Sequence, residues 1–133
     1  MKKYSTNYYN AFLAVAEDCP AEIGQEPPLK DPKSAVRIQY DRLKYSPYQY
    51  TSDQVIYESN GARRGISEEE FFSKGQACMR SSALSKRYGW GIHFDSEGKL
   101  ALYPRESQEY QAFEKDETLK QIRGMRSSRK SSS

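Results

Sequence analysis

Between Trp90 and Tyr103 apolar and polar residues alternate with a period of two, which is the signature of extended strands. "DSEG", Asp95 to Gly98, interrupts the alternation with Asp at the first and Gly at the fourth position of a type I turn. Such a turn, closed by a left-handed glycine in a bulge, joins the strands of a hairpin. It predicts the pairs Asp95 with Lys99, Phe94 with Leu100, His93 with Ala101, Ile92 with Leu102, and Gly91 with Tyr103. In that register Trp90, Ile92, Phe94, Leu100 and Leu102 share one face. Gly91, His93, Asp95, Lys99, Ala101 and Tyr103 share the other, so His93 points away from the apolar side. Pro104 ends the second strand.

Elsewhere the pattern is less regular. "NAFLAVAEDCPA" is a short apolar run stopped by Pro20, predicting a strand over 10–17, with an alanine-rich helix as the alternative. "EIGQEPPLKDPKSA" is a proline-rich loop. Ser34 caps a predicted helix carrying Val36, Ile38, Tyr40 and Leu43, which Pro47 closes. Thr51, Ser52 or Asp53 starts the next helix, with Val55, Ile56 and Ser59 on one face. Gly61 weakens its end and Gly65 takes the C′ position. Ser67 and Glu70 form a capping box for a short helix ending at Gly75. Ser81 or Ser82 caps one or two turns stopped by Gly89, and a further helix begins near Ser107. Leu119, Ile122 and Met125 recur at every third position, predicting a second helix or a continuation of that one.

This order predicts an α+β fold: a small antiparallel sheet, including hairpin 90–103, flanked by several short helices. A chain of 133 residues fits one domain, expected over 1–126, with a basic, serine-rich tail, 127–133, disordered by composition. The length permits a core without disulfides or a metal. The apolar fraction is only 36%, but 13% of residues are aromatic and eleven are Tyr, so the core leans on rings with hydroxyl tips.

Charge changes the picture only locally. The net charge is +3, too balanced for a dedicated nucleic-acid binder. From Leu119 onward there are five cations (Lys120, Arg123, Arg126, Arg129, Lys130) and no acid; removing those five from +3 leaves −2 for the rest. No segment reaches the ~18 apolar residues of a membrane span. "MKKYSTNYYNAF" lacks the apolar run of a signal peptide. Cys19 and Cys78 show no CxxC spacing. A cytosolic protein with reduced thiols is expected, and oligomeric state is not readable.

The chemistry-bearing residues crowd into "RSSALSKRYGWGIHFD", Arg80 to Asp95. A capped helix start flanked by Arg80, Ser81 and Ser82 can hold an anion through free backbone N–H groups and the helix dipole. Lys86, Arg87 and His93 are candidate additions, and the expected partner is an anionic small molecule. An ordinary N-cap with a solvated arginine is the competing explanation. No cofactor is expected: there is no GxxxxGK[ST] and no GxGxxG. His93 is the only histidine, so no metal set suggests itself. Cys78 with His93 forms a possible thiol–imidazole pair, against a buried Cys78 and a half-exposed strand histidine; whether the protein is an enzyme stays open. The tyrosines at 40, 45, 48, 50 and 57, with Arg37, Arg42, Arg63 and Arg64, offer a stacking platform or a core with its rim, and the basic tail offers an interaction surface.

"TNYYNAFLAVAEDCPA", "YTSDQVIYE" and "FFSKGQACMRSSALSKRYGWGIHFDSEGKLALY" resemble a domain-of-unknown-function family of small, single-domain, chiefly bacterial proteins, over roughly Thr6 to Met125. The distinctive piece is "KGQ.C.RSS.L.KRYGWGIH", Lys74 to His93. Ala77 and Ala83 stand where proline is common in that family, and a proline at 83 would occupy the first helical position, agreeing with Ser82 as cap. The resemblance implies no catalytic residue. More distantly, the hairpin followed by a helix is similar to frataxin-like putative iron chaperones, which would draw attention to Glu68, Glu69 and Glu70.

Overall fold

The turn chemistry of Asp95–Gly98 is realised in full. Gly98 adopts φ 80°, its N–H donates to the Asp95 carbonyl at 3.0 Å, and the Asp95 carboxylate accepts from the N–H groups of Glu97 and Lys99 at 2.9 Å. Strands β2 (Trp90–Phe94) and β3 (Leu100–Pro104) then pair antiparallel in the expected register, from Phe94 with Leu100 to Gly91 with Tyr103. The protein is known from a computed structural model that describes residues 4–127.

β1 (Ala11–Ala14) pairs antiparallel with β2, Phe12 opposite His93. All four of its residues are buried. Period-two geometry sends Ala11 and Leu13 to one face of the sheet, where they join Trp90, Ile92, Phe94 and Leu100. Phe12 and Ala14 go to the other, with Val15, Ala16, Cys19, Ala21 and Tyr110. Burial on both faces explains why this strand lacks alternation.

The last strand overturns an expectation. Lys120–Arg123 is β4, not helix, and it runs parallel to β1, Ala11 opposite Lys120 through Ala14 opposite Arg123. The sheet is thus mixed, in the order β3-β2-β1-β4. The cause is tertiary: β1 has an open edge buried in protein, whose backbone groups need partners. Lys120 N–H donates to Asn10 O and Gly124 N–H to Ala14 O. An Asp116 turn, with its carboxylate on the Thr118 N–H at 2.9 Å, breaks the helix before the strand starts.

Helices α1 (Ala35–Tyr45), α2 (Ser52–Ile56), α3 (Glu68–Phe71) and α4 (Ala83–Lys86) contribute Tyr40, Leu43, Val55, Ile56, Phe71 and Leu84 to the first core cluster. Their caps are Ser34, Thr51, Ser67 and Ser82, and Thr51 with Gln54 makes a complete capping box. α3 ends at Phe71, short of Gly75. Phe72, the C-cap, leaves helical geometry at ψ 4°, and both Phe71 and Phe72 are buried. After α2 the chain does not break at Gly61. It widens into a π-turn, Tyr57–Gly61, and tightens into a 3₁₀ turn, Ala62–Arg64, which Gly65 ends. Ser59 donates back to the Val55 carbonyl at 2.9 Å, the kind of bond that distorts a helix.

The second face of the hairpin is not left to solvent. α5 (Gln108–Glu114), capped by Ser107, lays Tyr110 and Phe113 across it. The Tyr110 hydroxyl accepts the Val15 N–H at 2.9 Å. Among the described residues no helix is long and apolar enough to cross a membrane. The tail expected from 127 onward lies outside the described residues except for Ser127, whose N–H donates to Asp18.

Gly91 makes the approach of α5 possible: a Cβ there would lie 2.6 Å from the Tyr110 ring and 2.7 Å from Phe12. Gly91→Ala is expected to destabilise the protein by about 1–3 kcal/mol through overpacking. In urea denaturation the midpoint falls at constant slope; an unchanged midpoint refutes the tight approach.

Candidate functional site

Three segments enclose a cleft of about 490 Å³: the start of α1, the π-turn with its 3₁₀ continuation, and residues 76–83. A buried polar chain ties them together. Ser82 Oγ donates to Gln39 Oε1 at 2.6 Å, Gln39 Nε2 donates to Ser59 Oγ at 3.0 Å, and Ser59 donates on to Val55 O. Gln39, Ser59 and Ser82 are all buried. A buried polar group left unpaired costs about 1–3 kcal/mol, so this satisfied chain fixes the three walls relative to one another. At the surface Arg42 adds a two-point contact to Glu58, at 2.7 and 2.8 Å from Nε.

The cleft is polar and cationic. Arg63, Arg64, Asn60, Gln76, Cys78 and Ser81 line it above an apolar floor that includes Val36, Ile56 and Met79, and no carboxylate is in its lining. Arg63 donates from NH1 to Lys33 O at 3.0 Å. Arg64 donates from Nε to Asn60 O at 2.6 Å. Among the described residues neither guanidinium pairs with an acid; the nearby Asp41 is taken by Lys33 and Arg37, and Glu58 by Arg42. The anchor of Arg64 lies within the cleft, whereas Arg63, held on Lys33 O, also borders the neighbouring groove that contains Asp41 and Glu58.

The expected site residues are only partly brought together. Ser81 and Ser82 line the cleft. Arg80 turns away, its Nε on Arg123 O at 2.7 Å. Ser82 is the cap of α4, accepting the Leu84 N–H at 3.1 Å, and with its hydroxyl also spent on Gln39 it has little left for a ligand. Lys86 and Arg87 sit at the far end of that one-turn helix. The tyrosine rings do not assemble into one platform: Tyr40 packs on Trp90, Tyr57 on Phe71, and Tyr45 is 71% exposed. Cys78 and His93 have separate partners, Tyr8 OH at 3.5 Å from Sγ and Tyr48 OH at 2.8 Å from Nδ1. Glu68, Glu69 and Glu70 form the first turn of α3, and no group of three or more His, Cys, Asp or Glu able to hold a metal occurs among the described residues. Sequence reading missed Gln39, Asn60 and Gln76. Gln39 had a signal, as a polar residue inside the helical stripe of Val36, Tyr40 and Leu43.

His93 lies on the α5 side of the sheet. It stacks on Phe113 at 4.3 Å, and Tyr48 OH bridges its Nδ1 to Tyr103 OH, both bonds 2.8 Å. Tyr48 itself takes φ 59°, held there by its N–H on Leu100 O at 2.8 Å. Burial disfavours the imidazolium and pulls the His93 pKa below its ordinary value, more than Asp95 and Asp116 push it up. A depressed pKa means that the unfolded chain binds the proton more readily. His93 therefore stabilises the fold fully above pH about 6.5 and loses that contribution as pH falls through the folded value. The imidazole resonance is expected to titrate below 6.5 in an NMR series, and His93→Phe to flatten the loss of thermal stability on acidification. A midpoint at or above 6.5 contradicts this.

No curated protein matches the chain, and no solved structure does, so the similarity to frataxin-like proteins gains no support. A family match covers residues 2–130, nearly the whole sequence. The chain belongs to the Family of unknown function (DUF6157).

Proposed function

We propose that the protein binds a small anionic molecule in the cleft between α1, the π-turn and residues 76–83. The observation that carries this reading is the lining itself, which holds Arg63, Arg64, Asn60, Gln76 and Ser81 and no carboxylate, with Arg64 tethered to the Asn60 carbonyl. Pre-fixed guanidinium groups recognise anions at low entropic cost. The volume lies within the range of about 300–1,000 Å³ typical of small-molecule sites, and π-turns recur at functional sites. In this reading the helix start at Ser82 serves the architecture of the cleft and Ser81 is its contribution to the lining. Two free cysteines suit a reducing compartment, and we place the protein in the cytosol on that ground.

Inorganic phosphate and sulfate serve as probes. Either is expected to raise the melting temperature beyond chloride at equal ionic strength, by several degrees at about 100 times Kd, where linkage contributes about 2.7 kcal/mol. The double variant Arg63→Ala, Arg64→Ala loses the shift and Arg80→Ala keeps it. Equal shifts with chloride, or a shift lost only in Arg80→Ala, reject the cleft as the site.

A further inference from the structure

We propose that Met125 is a reversible oxidation site, at which a peroxide converts the thioether to one sulfoxide epimer and the Ser81 hydroxyl selects that epimer. Nothing in it depends on the cleft binding an anion.

Met125 closes the series Leu119, Ile122, Met125 that recurs at every third position. The strand places the three residues in different surroundings. Leu119 packs against the core cluster around Phe12, and Ile122 against the cluster around Leu13. Met125 keeps 47% of its surface exposed, so packing does not account for it.

This exposed residue is nonetheless held in place. Its N–H donates to Arg80 O at 2.8 Å, and Arg80 Nε donates to Arg123 O at 2.7 Å. Its backbone neighbour Gly124 donates to Ala14 O at 2.8 Å. Ser81 Oγ donates to Met125 Sδ at 3.1 Å. A methionine side chain is flexible, and an untethered one turns both faces of its sulfur to solvent. Here the Ser81 proton occupies one of the two sulfur lone pairs, and the other is left to an incoming reagent. Ser81 also belongs to the lining of the cleft, so this hydroxyl joins the exposed sulfur to a cleft wall.

Distance decides where oxygen adds. An O–H···O bond alone spans about 2.7–2.8 Å, so no oxygen fits into the 3.1 Å between Oγ and Sδ. Attack on that lone pair requires the hydrogen bond to break first, whereas the other is open. With hydrogen peroxide, the free lone pair forms a bond to one peroxide oxygen and the O–O bond breaks. The leaving hydroxide takes the proton of the transferred oxygen and departs as water. Sulfur loses two electrons and the peroxide gains them. The two lone pairs are stereochemically distinct, so attack on one gives one epimer. The new oxygen faces solvent and is not buried, which keeps the step compatible with the fold. Met79 is fully buried and serves as the internal reference.

The folded full chain is treated with hydrogen peroxide, digested after glutamates and read by peptide mass spectrometry, with fragment spectra separating Met79 from Cys78. Met125 is expected to gain oxygen faster than Met79. Epimers are assigned with the two classes of methionine sulfoxide reductase, each of which reduces one epimer. One class is expected to reduce roughly three to ten times more of the Met125 sulfoxide than the other, the preference that one hydrogen bond sets. The same class restores Met125 in the folded chain. Ser81→Ala brings the two epimers towards equal amounts. So does oxidation of the unsubstituted chain in urea, where Ser81 no longer meets the sulfur. Equal epimers from the folded chain, or an excess that survives both Ser81→Ala and urea, overturn the selection by Ser81. Oxidation of Met125 no faster than that of Met79, or a sulfoxide that neither class reduces in the folded chain, overturns the site.

Discussion

A strand that is apolar on both sides governs this fold. β1 carries Phe12 and Leu13 fully buried on opposite faces, and each contributes about 1.5–3 kcal/mol only if its own face is covered. The strand therefore demands a layer above, a layer below and a hydrogen-bonded neighbour on each edge. β2 and β4 supply the edges. α1 to α4 cover the Leu13 face and α5 the Phe12 face. The placement of nearly every other element follows from satisfying those four sides.

Local rules made the hairpin legible, because turn type, register and strand faces are all decided within fifteen or so residues. The caps at Ser34 and Ser67 are legible for the same reason, and those at Thr51 and Ser82 to within a residue or two. β4 was not, since Leu119, Ile122 and Met125 carry a helical spacing that only the open edge of β1 overrides. The face holding His93 is polar by its sequence alternation, and it is covered because Gly91 lets Tyr110 settle against the sheet, a fact about a residue distant in sequence.

The site was legible only in fragments. Ser81, Ser82 and Cys78 stand out in the sequence and border the cleft, whereas Arg63 and Arg64 stand out there only beside the tyrosines. What assembles the cleft is a hydrogen-bonded chain from Ser82 through Gln39 to Ser59, spanning three segments. Such a chain has no local signature beyond one polar residue in an apolar stripe. The same chain explains why Ser82, two residues after Arg80, is structural more than ligand-directed: its hydroxyl, engaged on both sides, holds walls in place.

The parallel pairing of Ala11 with Lys120 has a consequence for the nascent chain. β1 (Ala11–Ala14) is made before both strands that flank it, which follow only at Trp90–Phe94 and Lys120–Arg123. Contacts of such sequence separation slow folding, and while synthesis proceeds Phe12 and Leu13 have neither edge partner. During that interval the most apolar strand of the protein is an open template for other chains, and its protection at the ribosome depends on whatever the intervening helices can gather around it.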